Sequence, residues 1–224
     1  MKTPNERAIL CATLSVRECD KENFVAWHTR EHLPERLAIP GFVRGRRFVR
    51  TDVDSCFLIL YDVGSLSVLS HPSYLERLNN PTDWTRATLP TFRDGRRSAY
   101  RVLTRAGGAQ AAYAMLISAR PDNAQAMKDE IGFELLDNWC GQPGIASIAF
   151  AEPDRAASSH ETEESRRSGN RFAEAMILVV EGTSEQVLRD FARNELTGPV
   201  CKRWGLGEQD VERIFRLQVS VVRD

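Results

Sequence analysis

Residues 20–50 read DKENFVAWHTREHLPERLAIPGFVRGRRFVR, and the change of pattern inside this stretch decides the fold. Its first part sets Phe24, Trp27, His28 and the Glu31-His32 step at helical spacing, with Asp20 placed as an N-cap. Ile39-Pro40-Gly41 then breaks the chain, and Phe42 to Arg50 has the residues of a strand. Residues 122–151 show the same succession: Asp122 as cap, a helix to about Trp139, a break at Gln142-Pro143-Gly144, and a strand from Ile145 to Ala151.

Working outward, Ala8 to Val16 and Cys56 to Val63 are strand-like, and Ser65 to Asn79 is a helix interrupted near His71-Pro72. A loop with Pro81 and Trp84 leads to a strand over roughly Ala99 to Thr104. The second half adds strands at Tyr113–Ala119, Phe172–Glu181 and Ile214–Val222, with a helix from Ser184 to Leu196. Each half therefore has the order β-α-β-β-α-β of a ferredoxin-like unit. The expected fold is α+β, with two tandem units over residues 1–106 and 109–224 that pack their sheets into an α/β barrel. The enclosed interior is then a natural place for a small, mostly apolar ligand. Residues 155–170 (RAASSHETEESRRSGN) are polar and poor in apolar side chains, which predicts a mobile, solvated loop of the second unit, with a lid over the interior as the lesser alternative.

The bulk numbers exclude several classes. A chain of 224 residues, 42% hydrophobic and 27% charged, is that of an ordinary globular protein. Its net charge of −1 gives no reason to expect nucleic acid as a partner. The apolar run near the N-terminus is too short for a membrane span and contains Thr13 and Ser15. Five cysteines without a C-x-x-C spacing, and no secretory pattern, point to reduced thiols in the cytoplasm. No phosphate loop, nucleophile elbow or dinucleotide fingerprint is present.

The densest cluster of chemistry is Trp27-His28-Thr29-Arg30-Glu31-His32-Leu33-Pro34. His28 and His32 lie four apart, on one helical face, and His28-x-x-Glu31-His32 matches the H-x-x-E-H pattern of certain zinc peptidases. Pro34 cuts the helix directly after the pair, and nothing marks His71 or His160 as a third ligand. A metal site at His28 and His32 is therefore a remote alternative.

Phe24, Trp27, the His32-Leu33-Pro34 step, Leu37, Pro40-Gly41-Phe42, Arg46-Arg47-Phe48 and the strand Phe57–Tyr61 resemble the EthD-like branch of the dimeric α/β-barrel superfamily. The resemblance covers roughly the first hundred residues. It implies the barrel fold and a loose set of activities, among them cofactor-independent monooxygenases, lactone isomerases and polyketide cyclases. Glu134 to Trp139 contains no histidine, so any site is biased toward the first unit.

His32 is the candidate catalytic group, an acid or base with a pKa near neutrality; its structural alternative is contact with the last carbonyls of its own helix. Trp27, Arg47 and Tyr61 are the candidate substrate-binding residues. Trp27, at helical spacing from Phe24, reads more readily as core; Tyr61 is core if its strand face meets the helices; and Arg47 reads as a buried ion pair, an anion-binding group or a protective edge charge. The expected protein binds a small molecule, without a cofactor, as monomer or homodimer. It is an isomerase, cyclase or oxygenase acting on an apolar or aromatic substrate, or a non-catalytic accessory or sensing protein with a filled interior.

Overall fold

The computed structural model describes residues 7–207 and 213–223. The chain begins with β1 (Ala8–Ser15) and α1 (Glu18–Trp27), which runs through a π turn (His28–His32) into α2 (Leu33–Leu37). Then come β2 (Phe42–Arg50), β3 (Cys56–Val63), a 3₁₀ turn (Leu66–Ser70), α3 (Pro72–Asn79), α4 (Asp83–Thr88) and β4 (Arg93–Gly107). The second half comprises β5 (Tyr113–Ala119), α5 (Ala124–Glu130), α6 (Phe133–Cys140), β6 (Ile145–Asp154), α7 (Arg155–Ser158) and α8 (Glu163–Ser168). It continues with β7 (Met176–Gly182), α9 (Glu185–Glu195), α10 (Gly198–Trp204) and β8 (Ile214–Val222). The α+β class and the β-α-β-β-α-β order of both halves stand, and the eight strands are hydrogen-bonded as a closed barrel in the order β1-β3-β2-β8-β5-β7-β6-β4.

The compact units are not simple halves of the sequence. The first comprises residues 1–101, 154–173 and 218–224, and the second 102–153 and 174–217. The expected boundary near 106 falls inside β4, which runs unbroken to Gly107. Residues 155–170, expected as a solvated loop of the second unit, belong to the first. They form α7 and α8 and bury Ala157, Thr162 and Glu164. Backbone bonds hold their far end to β4: Arg97 N donates to Arg171 O (2.9 Å), and Arg171 N to Gly95 O (2.9 Å).

In the first unit β1 is central, antiparallel to β3 on one side and β4 on the other, and β3 also pairs with β2. Leu10, Leu14, Phe57, Ile59, Tyr61 and Val63 share a core with Phe24, Trp27, Leu33 and Leu37 from the helices. The alternate residues Ile9, Cys11, Phe48, Leu58 and Leu60 are buried as well, so both faces of this sheet are covered. Burial raises the Cys11 thiol to about 12, as suits a small core hydrophobe. Gly45 on β2 makes the close approach of α2 possible, because a Cβ there would stand 2.4 Å from Leu33 and 2.9 Å from Tyr61.

Several local expectations change. Helix α1 starts at Glu18, with Asp20 paired to Arg17 (2.7 Å) within the first turn. In the second unit Asn123, one residue after Asp122, caps α5 by accepting from Ala126 N. At Pro34, where the sequence allows the helix to end, kink or restart, it restarts as α2 after the π turn. Leu33 N donates to His28 O, five residues back, and this wider turn takes the chain past a ring that cannot donate. Trp84 lies in α4, capped by Thr82, rather than in a loop. Ile131-Gly132 divides the expected 122–139 helix into α5 and α6.

Candidate functional site

A cavity of about 100 Å³ lies within the first unit, between the helices and the face of the sheet that carries them. Leu10, Ala12 and Leu14 of β1, Ile59 of β3 and Leu78 of α3 give it apolar walls. Its polar wall comes from three places. The π turn and α2 provide His28, His32 and Arg36, the strands provide Tyr61 and Arg97, and the 154–173 segment provides Glu164 and Asn170, with Ser158, Thr162, Ser165 and Ser168. The cavity is therefore on the helix side of the sheet, not on the helix-free side where the sequence suggested a ligand would sit.

The π turn aims both imidazoles inward. His32 lies 4.3 Å from the Trp27 ring and 5.7 Å from His28, which in turn faces Phe24 at 5.8 Å. Trp27 itself is anchored through Nε1, which donates to Thr85 Oγ1 (3.0 Å). Glu31, the glutamate of the H-x-x-E-H string, points elsewhere. Its Oε1 accepts from the Thr82 hydroxyl (2.6 Å) and the Thr85 hydroxyl (3.1 Å), tying α4 to the π turn. No group of three or more His, Cys, Asp or Glu side chains among the described residues could hold a metal ion. His71 instead accepts from Ser73 N at the start of α3, and His160 bonds Ser70.

Arg36 and Glu164 form a buried ion pair between α2 and α8. Burial works against the Arg36 charge, but Glu164, with Tyr74 and Tyr61, outweighs it and keeps the guanidinium protonated. Arg97 donates to the Tyr74 hydroxyl. Among these groups, several buried polar atoms have no hydrogen-bond partner among the described residues: both ring nitrogens of His28, Nδ1 of His32, Nη1 of Arg36, the Tyr61 hydroxyl, Oε1 of Glu164 and Oδ1 of Asn170. Every one of these side chains lines the cavity.

The electrostatics fix the protonation states. Burial, then Arg47 and Arg36, hold His28 well below its ordinary value. Burial, then Arg36, His28 and Arg97, do the same to His32. Both imidazoles are neutral near pH 7, each with one donor and one acceptor nitrogen. Burial raises the Tyr61 phenol, which stays a hydroxyl donor. The set can donate and accept hydrogen bonds, and it includes two neutral imidazoles, each with one unprotonated nitrogen able to act as a base.

Of the residues picked from the sequence, His32, Trp27, Tyr61 and His28 meet at this cavity. Arg47 does not line it. Its Nη1 donates to Val25 O (3.1 Å) and Thr29 Oγ1 (3.0 Å), and its Nε to Gln218 Oε1 (2.9 Å), so it braces the turn from α1 into the π segment. With no carboxylate partner there, burial pulls its pKa down to about 10. Arg36, Glu164, Arg97 and Asn170 line the cavity without being candidates from the sequence. For Arg36 a signal exists, since it follows His32 by four residues and shares its helical face.

No family model matches the chain, and no curated protein matches it. Solved structures do share its fold. A candidate monooxygenase from Lactobacillus acidophilus is 7% identical with a TM-score of 0.56, covering 97% of both chains. One from Fusobacterium nucleatum is 10% identical with a TM-score of 0.59, covering 99% of this chain and 94% of its own. An anthrone oxidase-like protein is 10% identical with a TM-score of 0.61, covering 97% and 94%. At such identities the likeness establishes the ferredoxin-like α/β-barrel fold.

Proposed function

We propose that this is a small-molecule-binding α/β-barrel protein of EthD-like type, and that its first unit is a cofactor-independent acid–base site of isomerase, cyclase or oxygenase class. His32 is the acid–base group, with Trp27 and Tyr61 holding the substrate. Arg36, rather than Arg47, supplies the guanidinium. One observation carries the reading: seven buried polar atoms without hydrogen-bond partners among the described residues, on His28, His32, Arg36, Tyr61, Glu164 and Asn170, converge on a single cavity. Leaving such an atom unpaired costs about 1–3 kcal/mol, so a group of them is tolerated where a ligand or ordered water completes the bonds. The monooxygenase descriptions of structures with this fold support oxygenase chemistry as one member of the class.

The cavity volume narrows the substrate. At about 100 Å³ it is well below the roughly 300 Å³ at which drug-sized ligand sites begin, so the occupant has few heavy atoms, which disfavours the aromatic half of the apolar or aromatic class expected from the sequence. The same volume favours one second reading, a non-catalytic protein that holds a small ligand without turning it over. A thermal-shift panel of small acids, alcohols and carbonyl compounds tests binding, since a ligand of the native state raises the melting temperature. For each hit, exchange of its acidic C–H with D₂O and oxygen consumption are then followed with the wild type and with His32→Ala. Exchange or consumption lost in a folded His32→Ala supports the enzyme. Binding without turnover in either protein supports the second reading.

A further inference from the structure

The cavity lining has a charge imbalance and an arrangement of donors and acceptors that narrow the ligand class. Two guanidiniums, Arg36 and Arg97, face one carboxylate, Glu164. Arg36 uses Nη2 on Glu164 and keeps Nη1 unpartnered, with only 2% of the residue exposed. Tyr61, 4% exposed, holds a second unpartnered donor. Arg97 bonds the Tyr74 hydroxyl, so no carboxylate offsets its charge through that contact. Glu164, 8% exposed, retains one oxygen, Oε1, without a donor. Donors of a cationic pocket seek an anionic oxygen, and a leftover carboxylate oxygen seeks a hydroxyl.

We infer that the pocket selects a small organic monoanion that also carries a hydroxyl. Its carboxylate accepts from Arg36 Nη1 and the Tyr61 hydroxyl, its own hydroxyl donates to Glu164 Oε1, and its short carbon chain lies on the apolar wall of Leu10 and Ile59. This rests on reading the cavity as a ligand site and gives that site its substrate class. It also gives the 154–173 segment a role: Glu164 on α8 recognises the hydroxyl, so a stretch far along the chain sets specificity for residues of α2 and β3.

The test uses the full chain and three probes titrated by ligand-observed NMR: 2-hydroxypropionate, its neutral amide of the same shape, and propionate, which lacks the hydroxyl. The expected order is 2-hydroxypropionate tightest, with the amide about tenfold weaker or worse and propionate weaker by about fivefold. Tyr61→Phe, which removes a hydroxyl with no protein partner, should keep its fold and weaken the anion by about tenfold while the amide changes little. Equal binding of the anion and its amide, or an unchanged anion affinity in Tyr61→Phe, overturns the anion assignment while the ligand-site reading stands. Binding of propionate as tight as 2-hydroxypropionate overturns the role given to Glu164. If none of the three binds and no panel compound shifts the melting temperature, the ligand-site reading falls too.

Discussion

The two units follow the same order of elements and fill the space between helices and sheet in opposite ways. In the second unit Met115, Ile117, Leu178 and Val180 from the strands meet Met127, Ile131, Leu136, Trp139, Leu188, Phe191 and Trp204 from the helices in an apolar core. The polar handles of its tryptophans are used: Trp139 Nε1 donates to Glu195 (2.7 Å), and Trp204 Nε1 donates to Glu130 (3.0 Å). In the first unit the corresponding layer holds His28, His32, Arg36 and Tyr61, whose buried atoms lack partners, around a cavity. One frame thus carries either an apolar core between helices and sheet or a polar-walled chamber there. The choice depends on a few helix residues and on whether a late segment of chain supplies a polar cover.

The contrast can be broken by substitution. The largest effect is expected from Arg36→Met, which leaves the buried Glu164 carboxylate without its ion-pair partner. A loss of about 3–5 kcal/mol in denaturant unfolding is predicted, with most of it restored in Arg36→Met/Glu164→Leu. In the second unit Leu136→Ala should cost about 2–5 kcal/mol by leaving a void in an apolar core. A loss below about 1 kcal/mol would mean that this core is less tightly filled than described.

Acid sharpens the comparison. His28 and His32 have folded pKa values below the 6.5 of the free side chain, so the unfolded chain takes up protons that the folded one refuses. Stability is full above about 6.5 and falls as pH drops from there toward the folded values, by up to about 1.4 kcal/mol per pH unit for each histidine. The double variant His28→Phe/His32→Phe should flatten the curve of stability against pH between about 7 and 5. An unchanged slope would assign the dependence to other groups. The smallest effect belongs to Tyr61→Phe, predicted within about 0.5 kcal/mol of wild type because the lost hydroxyl bonds no protein atom. A loss above 1 kcal/mol would show that the hydroxyl is satisfied within the fold.

Most of the fold is legible in the sequence because it follows from local periodicity and breaks. The near-continuous apolar run of Cys56–Val63 and the Pro-Gly steps at 40–41 and 143–144 place strands where the structure has them. The site is legible only where it is local. Trp27, His28, His32 and Tyr61 stand out by spacing and type, but Arg47 is misread because alternation puts it on the helix face without showing that Val25 and Thr29 occupy it. The cover is misread for another reason. Residues 155–170 are polar, and Glu164 is buried by an ion pair with a residue 128 positions earlier, which no window of sequence displays. Helix α8 did carry local marks: Thr162 as cap, Glu163 and Glu164 in its first turn, Arg166 and Arg167 in its last, and Gly169 at φ 61°. Low hydrophobicity masked them.

The central claim is that the first unit holds a chamber whose polar wall waits for a partner. High-resolution electron density from crystals soaked in 2-hydroxypropionate tests it most directly. Density is expected for an anion or ordered waters bonded to Arg36 Nη1, the Tyr61 hydroxyl and Glu164 Oε1, with His28 and His32 facing it. A space closed by Trp27 or Phe92, with both imidazoles bonded to protein atoms, would contradict it.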